Sequence, residues 1–116
     1  MKKIIFIGMM GVVLYACSKS NGGGGVPPIS TPTCTGTKSF ANDVNPIIQS
    51  SCVISGCHAA GSVNGPGALT NYNQIFSARS TIRAAIASGA MPKTGSLSTD
   101  QRNTILCWID AGAESN

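Results

Sequence analysis

CVISGCH, residues 52–58, sets a histidine directly after the second of two cysteines that have four residues between them. Three chemistries use such a pattern. Two thiols that add to porphyrin vinyl groups, with the following imidazole on the iron, make a c-type haem clamp. Thiolates and imidazole on one tetrahedral ion make a zinc hook, and two sulfurs joined to each other make a short disulfide ring. For zinc, the adjacent Cys57 and His58 would have to bend onto a single ion, with Cys34 or Cys107 as a further ligand, at a spacing unlike that of common zinc sites. For haem, the usual attachment has two residues between the cysteines, and the longer loop here has Gly56 to supply backbone freedom.

Upstream of this stretch, Asn42 or Asp43 is placed to cap a helix whose first turn accepts Pro46 and whose apolar residues Val44, Ile47 and Ile48 lead into Cys52. Downstream, residues 59–70 (AAGSVNGPGALT) are rich in Gly, Ser, Asn and Pro and predict an irregular loop, followed by a short helical piece at Tyr72 to Phe76. A helix over roughly Thr81 to Ser88 has Ile82, Ala85 and Ile86 on one side, with Gly89 as its stop just before Met91-Pro92. The closing helix is announced by a Ser98/Gln101 capping box, has Ile105, Trp108 and Ile109 on its inner face, and stops at Gly112. No alternating β-branched run of strand length occurs, so the expected fold is all-α.

The chain has 116 residues, and its beginning reads as a signal rather than as part of the domain. Met1-Lys2-Lys3 is basic, and Ile4 to Leu14 is an apolar run too short to span a bilayer. The run ends in Leu14-Tyr15-Ala16-Cys17, which resembles a bacterial lipobox and predicts a diacylglyceryl anchor on Cys17 after removal of residues 1–16. Residues 17–33 then read as a lipidated Gly/Pro-rich tether, and 34–116 as the folded body. The expected location is outside the cytoplasm on a bacterial membrane, and Ser18 directs the expectation towards the outer one.

Loss of Lys2 and Lys3 lowers the formal charge from +4 to +2. No basic patch interleaved with aromatics remains, which excludes nucleic acid as a partner. The body is small, and its aromatic residues are Phe40, Tyr72, Phe76 and Trp108. A core of that size needs a staple. With Cys17 assigned to lipid and Cys52 and Cys57 to the motif, Cys34 and Cys107 form an even remainder that pairs in an oxidising compartment or stays as two buried thiols. His58 is the only histidine, and Met91 is the only methionine beyond the signal. The acidic residue nearest to His58 in the chain from the upstream side is Asp43, a helix away, which leaves no hydrolytic constellation around the imidazole.

FANDVNPIIQSSCVISGCH (40–58) together with GAMPKTGSLSTDQRNTILCWIDAGA (89–113) resembles the small cytochrome c-like domains of Bacteroidetes-type lipoproteins and planctomycete-type cytochromes. The shared pattern is an apolar helix, a cysteine pair with histidine, a variable loop, Met-Pro, and a closing helix with Leu-Ser, Trp-Ile and Gly-Ala. The resemblance spans residues 40–113. It implies one covalent haem c bonded through Cys52 and Cys57, with His58 as the proximal and Met91 as the distal iron ligand. Two protein ligands leave no open iron position, so the resemblance implies an electron carrier, not an enzyme, serving an unidentified redox partner protein. The alternative reading is a disulfide-stapled, haem-free binding or scaffold module on the same anchor.

Overall fold

The computed structural model describes residues 27–29 and 31–116, and every regular element among them is helical. The expected signal segment 1–16, the expected lipid acceptor Cys17 and the glycine part of the expected tether lie outside the described residues. No described helix is long and apolar enough to cross a membrane.

The first helical segment begins earlier than Asn42 or Asp43. Ser39, in extended backbone, accepts from the Asn42 N–H, and the Asp43 carboxylate in turn accepts from the Ser39 N–H at 2.8 Å. This reciprocal pair starts a π-helical turn, Phe40–Val44, that runs into α1, Asn45–Ser51, with Pro46 in its opening turn. The early start has a packing cause. Phe40 is buried and its ring lies 5.1 Å from Tyr72 and 5.5 Å from Trp108, while Tyr72 stands 5.5 Å from Phe76. The four aromatic rings of the body thus form one connected group, whose polar atoms are satisfied: Trp108 Nε1 donates to Glu114 O and Tyr72 Oη to Ala113 O.

α2 (Tyr72–Ser77) and α3 (Arg79–Ser88) follow each other almost without a break. Gly89 ends α3 with φ of 75°, the left-handed conformation that a residue with a Cβ adopts at a cost. α4 (Thr99–Asp110) opens on the complete Ser98/Gln101 capping box. Its buried surface is wider than a single amphipathic stripe: Arg102, Ile105, Leu106, Cys107 and Trp108 are all inside, whereas Ile109 is half-buried. α4 is the central helix, covered by α3 on one side and by the π-helical turn on another. At the exposed rim Arg83 grips Asp110 with hydrogen bonds of 2.6 and 2.8 Å, and that grip holds the Asp110 carboxyl below its usual range.

Cys34 and Cys107 are joined, with Cα atoms 5.6 Å apart. The bond is one of several pins on the residues just before the body. Arg102 Nη1 donates to Pro27 O at 2.9 Å, the Ile29 N–H donates to Ala87 O at 2.7 Å, and the Thr33 N–H donates to Asn103 Oδ1 at 3.3 Å. Ile29 also packs against the core. The end of the Pro-rich stretch is therefore a strap seated on α3 and α4. One isoleucine among prolines carries little apolar signal in the sequence, and the surface that receives it exists only once two helices have met.

Candidate functional site

Cys52 lies at the C-terminal end of α1, and the chain then turns through residues 53–57 to deliver His58 into the interior at 6 % exposure. The turn is held by hydrogen bonds to its own backbone. Asn64 Nδ2 donates to Gly56 O at 2.7 Å and to Cys57 O at 3.2 Å, and the Ser62 hydroxyl also donates to Cys57 O. The His58 N–H bonds to Cys52 O, and the Leu69 N–H bonds to His58 O.

Gly67 O lies 2.8 Å from His58 Nδ1. A carbonyl only accepts, so Nδ1 carries a proton, and in the neutral form of the ring the lone pair lies on Nε2, which has no hydrogen-bond partner among the described residues. This is the arrangement by which a second hydrogen bond orients a metal-ligating imidazole. Gly65 closes over the ring with φ of +57°. A Cβ there would stand 3.4 Å from His58 Cε1, ordinary contact, so backbone conformation rather than space selects glycine.

His58, Cys52, Cys57 and Met91 all line one cavity of about 590 Å³. Its aliphatic walls come from three helices and a loop: Ile48 from α1, Leu69 from the loop, Ile82 and Ile86 from α3, and Ile105 from α4. The volume falls within the ~300–1,000 Å³ typical of small-molecule and cofactor sites. Met91 reaches the cavity two residues past Gly89, half-buried, with its N–H bonded to Ala85 O at 3.2 Å.

Cys52 is a free thiol, and burial pushes it up to about 11. Because Cys52 is free, the short Cys52–Cys57 ring is not formed. Cys34 and Cys107, the further ligands a zinc hook would need, are committed to each other, and they stand apart from the cavity lining. No group of three or more metal-binding side chains occurs among the described residues.

The Cys52 thiol yields a pH prediction for the chain before any cofactor is attached. Raising a thiol from 9.0 to about 11 lowers its thiolate fraction at pH 8 about a hundredfold, so iodoacetamide should label native Cys52 far more slowly than the same residue in urea. The folded value lies above the unfolded one. The associated stability is present in full below pH 9.0 and is lost as the pH rises towards 11. A Cys52→Val chain should lack that part of the alkaline decline in the urea midpoint, and equal slopes in the two chains would remove the assignment.

Gly65, Gly67 and Leu69 frame His58, and the sequence singles out none of them. Their signal is faint, a leucine and glycines in a Gly/Ser/Asn-rich loop. No family model, curated protein or solved structure matches the chain.

Proposed function

We propose that this chain is an exported, lipid-anchored c-type cytochrome whose cytochrome c-like helical body carries one haem for electron transfer. The supporting observation is convergence. Two cysteines and the single histidine from the 52–58 stretch, and the one methionine beyond the signal from the loop after α3, line one aliphatic cavity of cofactor size. Haem c attached through Cys52 and Cys57 supplies a one-electron iron couple.

The chain's own residues then have distinct tasks. Gly67 O holds the His58 tautomer and points the Nε2 lone pair away from that bond. Met91 offers a soft thioether that favours the reduced metal. Ile48, Ile82, Ile86 and Ile105 keep water from the site.

The aliphatic lining of the cavity also suits a second reading, an anchored haem-free module that binds an apolar ligand there. One experiment separates the two. Full-length protein co-expressed with haem-attachment machinery should gain the mass of one haem and keep its colour through denaturation. An unchanged mass under conditions that mature a control cytochrome leaves the binding module.

The anchor has its own test. Cys17→Ala should release the body from membranes or block processing, because the tether offers no second lipophilic element. Sedimentation of the variant with membranes through a salt wash would remove the lipid assignment.

A further inference from the structure

Arg102 is 4 % exposed, yet none of its hydrogen bonds goes to a carboxylate. Nη1 donates to Pro27 O at 2.9 Å, Nη2 donates to Ile86 O at 3.0 Å and to Ala87 O at 3.3 Å, and Nε is buried without a partner. A buried cation is costly unless its surroundings compensate it. Here carbonyl dipoles do so. Two of them belong to the last turn of α3, where helix carbonyls lack intrahelical partners and the helix dipole is negative. The third belongs to the strap.

Strap and guanidinium converge on the same place. Ala87 O accepts from Arg102 and also, at 2.7 Å, from the Ile29 N–H. Four residues later the chain has passed through Gly89 and arrived at Met91, whose own N–H returns to Ala85 O in the same turn of α3. Met91 therefore hangs from a helix end whose terminal carbonyls are held by Arg102 and by the strap together.

We infer that Arg102 is a positioning residue that links the seating of the strap to the placement of Met91 in the cavity. With the strap seated, Pro27 O completes the guanidinium's set of acceptors, the last turn of α3 is held, and the Met91 loop is held with it. With the strap lifted, Arg102 loses an acceptor, Ala87 O loses a donor, and the loop loosens. That Met91 ligates iron rests on the proposed haem function. The mechanical link from strap to loop does not.

The test uses the full-length chain, matured with haem-attachment machinery, in three variants. Ile29→Pro removes the N–H to Ala87 O and the seated side chain while leaving Arg102 intact. Arg102→Leu removes the clamp, and Arg102→Lys keeps the charge with fewer donors. Hydrogen exchange is read over residues 88–95 and, as an internal control, over 58–69. Ile29→Pro and Arg102→Leu should each accelerate exchange in 88–95 at least about tenfold while 58–69 stays unchanged, with Arg102→Lys between them and the parent. In the ferric holoprotein the same two variants should weaken the sulfur-to-iron absorption band and bind cyanide more tightly, again with partial rescue by lysine.

Unchanged exchange in 88–95 for Ile29→Pro overturns the link, even where Arg102→Leu fails to fold. Acceleration spread evenly over both segments overturns it too, since that is general destabilisation. Faster exchange in 88–95 with an unaltered band and cyanide affinity means that the effect stops short of Met91, which also overturns it. If no haem is attached, the mass shows this directly, and the exchange pattern still decides whether strap and loop are linked.

Discussion

Cys34→Ser is expected to lower the free energy of unfolding by about 4 kcal/mol, the chain-entropy value for releasing a loop of this length. The bond spans a sequence separation of 73 residues, nearly the whole folded body, so the unfolded chain without it gains a large set of conformations. A small domain has a total of ~5–15 kcal/mol to lose, so loss of this cross-link removes a large share of it. The two ends of the bond are not equivalent. Cys34 is exposed, whereas Cys107 is 5 % exposed on the inner face of α4 beside Leu106 and Trp108. Cys107→Ser therefore adds a buried hydroxyl to the lost cross-link and should be the more damaging by about 1–3 kcal/mol unless the hydroxyl finds an acceptor. Urea denaturation of both variants, with alkylation of the remaining thiol, checks the order. A Cys34→Ser midpoint close to the parent's would show that the cross-link does not limit the unfolded chain.

The second large effect separates the roles of two side chains that share one cavity. Met91→Ala should leave attachment through Cys52 and Cys57 intact, so colour survives while the midpoint potential falls, because a soft ligand favouring the reduced metal is gone. The ferric variant should lose the weak sulfur-to-iron band and admit cyanide. His58→Ala acts differently. It removes the imidazole that Gly67 O orients and leaves that carbonyl without its 2.8 Å partner. It also empties a position that is 6 % exposed, so maturation itself should fail and the apo body should lose about 1–3 kcal/mol. Titration of the potential and cyanide binding decide the methionine; haem retention after denaturation decides the histidine. If Met91→Ala matches the parent in spectrum, cyanide exclusion and potential, Met91 is wall packing and the iron has another ligand. If His58→Ala matures normally, the imidazole is not the proximal ligand.

Local signals in this chain are dense, and they are local for a physical reason. Ser98 with Gln101, Gly89 and the Pro46 turn act within one helical turn of themselves, so their residue types announce them. The same holds for the 3.6-residue spacing of Ile82 and Ile86, which the interior receives as read. The start of the first helix shows where that reach ends. Asn42 and Asp43 are good caps by type, yet the burial of Phe40 against Tyr72 and Trp108 pulls the start back to Ser39, and those rings come from helices far away in sequence.

The amino-acid sequence by itself determined the helical class, the helix stops, the scarcity of His and Met, and the candidate set of Cys52, Cys57, His58 and Met91. Composition, periodicity and capping depend on neighbours in the chain, and those are all written there. Only the tertiary structure decided that the four side chains share one cavity, that a carbonyl from a glycine-rich loop sets the His58 tautomer, and that an arginine and a Pro-rich strap meet on one carbonyl at the end of α3. Each of these is a meeting of backbone groups or of distant segments. Backbone carbonyls carry no residue-type signature, and a contact between residues 29, 87 and 102 has no periodicity to betray it.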